Sequence, residues 1–203
     1  MTEPGMGATL RERTRRAVQA ELLAAGQALF VERGYEDVTV DEIAAVVGMS
    51  KRSFFRYFGS KEALILGKFD KQGEDFAAAL ARRPLDEQPW VALRRMFDPV
   101  VMYMTDEDSR RSALEVNRVI QSSETLRAGY LERMERAQRL IAIELERREA
   151  ERESEATALQ LAAVVAAAFA ALSTANRFAE SQGVPLATAL DDAISAISGG
   201  EFA

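Results

Sequence analysis

The sequence predicts an all-α protein of about nine helices, and three observations carry the prediction. Apolar residues recur at helical rather than alternating spacing along nearly the whole chain. β-Branched runs are short, and no period of two persists. Helix-starting Ser and Thr residues and helix-ending glycines punctuate that pattern at intervals suited to helices.

Val18, Leu22, Ala25 and Leu29 form the first stripe, from near Arg11 to Arg33, and Gly34 ends it. Thr39-Val40-Asp41-Glu42 matches a capping box, so a second helix starts at Val40, with Ile43, Val46 and Val47 inward. It stops at Gly48. Ser50 caps a short third helix, Lys51 to about Tyr57, whose Phe54 and Phe58 share a face. Two short helices around Gly48-Met49 form a helix-turn-helix pattern. Lys61 to about Ala81 reads as a longer helix, followed by the proline-flanked linker RRPLDEQPW. Further helices are expected near 90–105 (kinked or ended by Pro99), 107–121, 124–152, 155–181 and 186–198. Ser123 and Ser154 are the candidate caps for the third and fourth of these.

Composition narrows the function. The chain has no cysteine and no histidine, which removes disulfides, thiolate sites, most triads and most zinc sites. No catalytic, metal or cofactor residue is assigned. Glu115, Glu124 and Asp108 show no paired spacing, so a carboxylate enzyme acting on an apolar molecule is the disfavoured alternative. A helical partner-binding module is another. Residues 1–16 lack the apolar core of a secretory signal. Ala156 to Asn176 carries no charge, yet its alanines and polar groups suit a close-packed buried helix better than a membrane span. A cytoplasmic protein is expected.

The net charge is −6 and unevenly placed. Residues 1–70 hold ten basic and ten acidic residues, whereas the remainder holds 16 and 22. Within the neutral head, GMSKRSFFRYFGSK carries four cations, four aromatics and no acid. A DNA-reading helix needs cations for phosphates, small polar groups for base edges and an apolar side for docking; this stretch supplies all three. An ordinary solvated amphipathic helix explains the cations but not the missing acids or the capped helix before it.

The stretch also resembles the N-terminal domain of TetR-family transcriptional regulators. The matching residues are Ala28-Leu29-Phe30, Gly34-Tyr35, Thr39-Val40, Glu42-Ile43-Ala44, Gly48-Met49-Ser50 and Tyr57-Phe58-x-Ser60-Lys61-Glu62-x-Leu64. The resemblance implies a three-helix DNA-binding domain over 1–60, with 1–10 flexible, and a helical ligand-binding and dimerisation domain over 61–203. It implies DNA contacts for Thr39, Ser50, Lys51, Arg52, Ser53, Phe55, Arg56, Tyr57 and Lys61. Thr39 would hold phosphate through its hydroxyl and backbone, and Tyr57 and Lys61 would meet the DNA backbone. Phe55 stands where the family usually has tyrosine, and Arg52 where it often has glycine. Arg11, Arg13, Arg15 and Arg16 fit either a minor-groove arm or a solvated helix start.

The resemblance further implies a homodimer reading a palindromic operator, with half-sites about 34 Å apart or a multiple of that. Ala162, Ala163, Ala166, Ala167 and Ala170 would allow close helix approach, with Val165, Phe169, Leu172, Ile194 and Ile197 supplying bulk. An apolar effector of fatty-acyl or acyl-CoA type is expected, as in some relatives. Its candidate walls are Trp90, Met96, Phe97, Val100, Met104, Leu114, Ile120, Tyr130, Met134 and Phe169, with Asn117 and Gln121 as polar anchors. Arg94, Arg95, Arg110 and Arg111 are candidate head-group partners or solvated charges.

Overall fold

The computed structural model describes residues 9–199. Among these it shows ten α-helices and no strand: α1 (Leu10–Arg33), α2 (Val40–Val46), α3 (Lys51–Phe54), α4 (Lys61–Ala81), α5 (Pro89–Met96), α6 (Asp98–Thr105), α7 (Glu107–Ser122), α8 (Glu124–Glu151), α9 (Ala158–Gln182) and α10 (Leu186–Ile197). The all-α class is as expected. The tenth helix arises because residues 90–105 divide at Phe97, which caps both α5 and α6, with Pro99 in the first turn of α6. Proline lacks only an N–H that a first turn leaves unpaired anyway, so it starts α6 rather than kinking a longer helix.

The caps explain most boundaries. Thr9 and Glu12 form a reciprocal capping box at the start of α1, a Thr-x-x-Glu signal present in the sequence but not used above. Most of the segment expected to be flexible, residues 1–8, lies outside the described residues, while Thr9 and Leu10 belong to the helix start. Thr39 and Glu42 close the box expected for α2. At α9 the box is Thr157 and Gln160; Ser154 is not the cap and instead accepts from Ala156 N–H in the preceding turn. Ser123 does serve α8, accepting from Leu126 N–H at 3.2 Å. The α3 helix is shorter than expected and continues as a turn over 55–57.

The chain forms two compact units. One is Met1–Lys68 with Glu115–Gly129, the other Phe69–Leu114 with Tyr130–Ala203. In the first, Leu22, Phe30, Tyr35, Ile43, Phe54 and Leu64 are buried. Val46 is a correction: it is 63% exposed, and Ala44 takes the buried place beside Ile43. A helix as short as α2 buries a narrow stripe, so one residue more or less of rotation changes which side chain is covered.

The second unit has its own core. Phe76, Phe97 and Phe169 meet edge to face at 5.3 to 6.1 Å between ring centres. Helix α9 is apolar and long enough to span a membrane, but Leu161, Val165, Ala168, Phe169, Ala171 and Ala175 are buried in this core. Gly73 lets α4 approach α8 closely: a Cβ there would lie 2.8 Å from the Ala137 Cα.

Candidate nucleic-acid interface and effector cleft

The first unit presents the acid-free stretch as an exposed surface. Phe54 is fully buried and stacks near Phe58 at 5.7 Å, so α3 is pinned by one side. That leaves Lys51, Arg52 and Arg56 exposed, with Phe55 46% exposed between them. Ser50 caps the helix through Ser53 N–H at 3.2 Å, and its hydroxyl donates to the Ser53 hydroxyl at 3.1 Å. Tyr57 lies between two guanidiniums, Arg15 at 5.7 Å and Arg56 at 6.0 Å from its ring centre. Arg15 of α1 therefore adjoins the α3 segment.

The cations differ in how free they are. Lys51 pairs with Asp41 at 2.9 Å, both exposed. Among the described residues, Arg52 has no ion pair or hydrogen bond from its side chain. Lys61 points inward: its Nζ donates to the carbonyls of Tyr35 at 2.7 Å and Val38 at 2.9 Å and sits 4.1 Å from the Tyr35 ring centre. Burial, with Glu62 and Glu36 nearby, pushes the Tyr35 hydroxyl up to about 12, so the ring stays neutral beneath that ammonium. Lys61 thus staples the α1–α2 connection to the start of α4.

Thr39 is similarly committed. Its backbone N–H donates to Glu42 Oε2 at 2.8 Å and its hydroxyl donates to the same oxygen at 2.7 Å. Arg33 completes the cluster, donating to Glu42 Oε1 at 2.7 Å and to the Asp37 carbonyl at 3.1 Å. The bonds from Thr39, then the one from Arg33, hold the Glu42 carboxyl at about 2. Both donors expected to reach phosphate are thus occupied within α2 itself.

Residues 22–67 match the family of bacterial regulatory proteins called tetR, over the segment that builds this surface. The transcriptional regulator TcmR of Streptomyces glaucescens is 34% identical over 133 residues, covering 64% of this chain and 59% of that protein. Over that segment the chain is similar to tetR-family regulators. The chain spans only about three-fifths of the length of TcmR. The transcriptional repressor AcnR of Corynebacterium diphtheriae is 29% identical over 127 residues, covering 57% of this chain and 63% of that protein. The fold is also that of Thermus thermophilus FadR, a TetR-family repressor solved with lauroyl-CoA; 90% of this chain aligns with 94% of that one at a TM-score of 0.57 and 21% identity. The SmeT–triclosan complex aligns over 89% and 91% at a TM-score of 0.59 and 18% identity, again a likeness of fold.

The side chains expected to wall an effector site divide. Met96, Phe97 and Phe169 are buried in the second unit's core, and Trp90, Val100, Met104 and Met134 pack against it. Tyr130 meets Phe69 edge to face at 5.0 Å. Asn117 and Gln121 fall in the first unit, Gln121 exposed. The open space in the second unit is a cleft of about 460 Å³ with Val101, Met104, Leu114, Val184 and Leu186 along its walls. Of the expected walls Met104 and Leu114 line it, together with Arg110 of the head-group candidates. A stripe of Met and Phe reads alike in sequence whether it fills a core or walls a cavity.

The four arginines considered for a head group are matched by carboxylates. Arg94, 4% exposed, pairs with Asp98 at 2.7 Å and with Asp191 of α10. Arg95 lies 3.9 Å from Asp98, Arg110 pairs with Glu107 at 2.8 Å and Arg111 with Asp108 at 3.4 Å. Sequence reading missed Arg148, which is 1% exposed and donates to the carbonyls of Leu80, Arg83 and Pro84 at 3.2, 2.7 and 2.8 Å. Leu80 stands in the last turn of α4, its carbonyl shared with Arg83 N–H, and Arg83 and Pro84 follow the helix end, where a cation also meets the negative end of the helix dipole. No local signal marks a side chain that caps a helix more than sixty residues away.

Proposed function

We propose that this chain is a cytoplasmic DNA-binding transcriptional regulator, acting as a homodimeric repressor that an apolar small molecule releases from a palindromic operator. The observation that carries the reading is the α3 segment: Phe54 is buried, and Lys51, Arg52 and Arg56 stand outside with no acid between Gly48 and Lys61. Arg52, Ser53 and Phe55 are the base-reading candidates, Phe55 through apolar contact with a thymine methyl. Ser50, Lys51, Arg56 and Tyr57 are the phosphate candidates, and Arg15 extends them. Thr39 and Lys61 act by holding α2 and the α1–α2 connection in place, since their donors are used internally. The domain division expected from the resemblance, at residue 60, is retained for the DNA-reading segment.

Two short recognition helices on a twofold axis read enough base pairs for specificity where one does not. Ala162, Ala163, Ala166 and Ala170 are exposed along α9 and suit the close approach of a second copy, whereas Val165, Phe169 and Ile194 are spent on the core of their own chain. Ile197 remains exposed on α10. The effector is a mostly apolar molecule, and an acyl-type chain suits the side chains of the cleft. Release requires that it bind preferentially to a state with the wrong recognition-helix spacing, reached through α4.

The test is binding to DNA flanking the protein's own gene against shuffled DNA across a salt series. A protected palindrome bound in preference to shuffled DNA, and lost on Arg52→Ala, supports the reading. Equal binding to both DNAs, unchanged by Arg52→Ala, refutes sequence reading by α3.

A further inference from the structure

The charged side chains around the cleft of the second unit differ in how far they are matched. Besides the apolar walls, Arg110, Asn176 and Glu180 line it. Arg110 is already neutralised, its guanidinium forked onto Glu107 by hydrogen bonds of 2.8 to 3.2 Å. Glu180 and Asn176 are different: among the described residues neither side chain has an ion pair or hydrogen bond. They stand one turn apart on α9, so both reach the same wall. The nearest cation along that helix, Arg177, turns back toward Ser173 and Thr174, donating to their hydroxyls at 3.0 and 3.3 Å.

The position sharpens the imbalance. Glu180 lies in the last turn of α9, which holds no basic residue and ends at Gly183 with φ 68°. A carboxylate at the negative end of a helix dipole is disfavoured unless a cation meets it. The cleft therefore joins an apolar surface to an exposed, unmatched carboxylate at a negative helix end, with the half-buried Asn176 amide one turn away. An acyl carboxylate placed there would meet repulsion from Glu180, while the lining guanidinium of Arg110 is already shared with Glu107.

We infer that the cleft binds a lipophilic amine, its ammonium donating to Glu180 and to the Asn176 carbonyl oxygen, and its hydrocarbon lying over Val101, Met104 and Leu114. This rests on reading the second unit as effector-binding; measuring the ligand without DNA keeps the two separable.

The experiment titrates the full chain by calorimetry at neutral pH and low salt with three ligands of one chain length: octylammonium, octanol and octanoate. The expected order is octylammonium, then octanol, then octanoate, with the ammonium favoured over the alcohol by about tenfold, as one charge-assisted hydrogen bond gives. Glu180→Gln should remove that preference while keeping octanol binding, and Glu155→Gln, outside the cleft, should change nothing. Filling the cleft with Leu114→Trp, or with Ala187→Phe if the first variant does not fold, should weaken all three. Octanoate binding as well as octylammonium, a full ammonium preference in Glu180→Gln, or no binding by any of the three overturns the inference. Octylammonium that binds but leaves DNA binding unchanged keeps the site and refutes release by that ligand.

Discussion

Lys51 Nζ lies 2.9 Å from Asp41 Oδ2, so the first cation of α3 is held by a carboxylate of α2. Both groups are largely exposed, and such a pair contributes at most about 1 kcal/mol to stability. Its larger effect is on charge: Asp41 tempers the attraction of Lys51 for phosphate. Asp41→Asn should tighten binding to shuffled DNA and steepen the salt dependence by up to about one unit of log–log slope. Filter-binding titrations across a salt series check this; an unchanged slope would mean that Lys51 never meets phosphate.

Lys61 separates positioning from contact. Lys61→Met keeps the aliphatic stem and leaves the carbonyls of Tyr35 and Val38 without their donor, so stability should fall by about 1–3 kcal/mol. DNA affinity should drop with no change in salt slope, because no phosphate-bound cation is lost. Thermal unfolding and the same titration measure both. A slope smaller by about one would instead assign Lys61 to a phosphate.

Two glycines of α4 should respond oppositely to alanine. A Cβ at Gly67 meets nothing within 4 Å, so Gly67→Ala should stabilise by about 0.5–1 kcal/mol through helix propensity. At Gly73 the Cβ would lie 2.8 Å from Ala137 Cα, so Gly73→Ala should destabilise by about 1–3 kcal/mol. Urea unfolding of the two variants tests the close approach of α4 to α8.

Arg148→Met should cost about 3 kcal/mol, because three carbonyls near the end of α4 lose one buried donor group. Arg148→Lys should recover only part of this, since an ammonium cannot span the same three acceptors as a planar fork. Equal stability of the two variants would show that charge alone matters there.

Acid should loosen the start of α2. The Glu42 carboxyl is lowered from its ordinary 4.5 to about 2 in the folded chain, so its contribution is present above 4.5 and is lost as pH falls toward 2. Glu42→Gln should flatten stability over that window, read by denaturant midpoints at successive pH values. A Glu42→Gln variant as acid-sensitive as the parent would place the titration elsewhere.

Helix starts are legible where their causes are local, as at α2. Thr39 and Glu42, or Thr9 and Glu12, satisfy backbone donors three residues away, and a reader of sequence sees both partners at once. The buried side of α3 was legible for the same reason, through Phe54 and Phe58. Val46 and the division at Phe97 were not, since each depends on a small rotation or break that packing against other helices decides.

What the sequence determined by itself is the all-α class, the capped start of α2, the likeness to tetR-family regulators over residues 22–67, and the acid-free basic stretch of an acidic chain. Tertiary structure alone decided which charges are spent. Lys61 went to the carbonyls of Tyr35 and Val38, Arg94 to Asp191, and Arg148 to the end of α4, while Glu180 was left unmatched in the cleft. The physical reason is reach. A cap is fixed by residues three apart, whereas a long charged side chain takes its partner from whatever the fold brings within a few ångströms, tens of residues away in the chain.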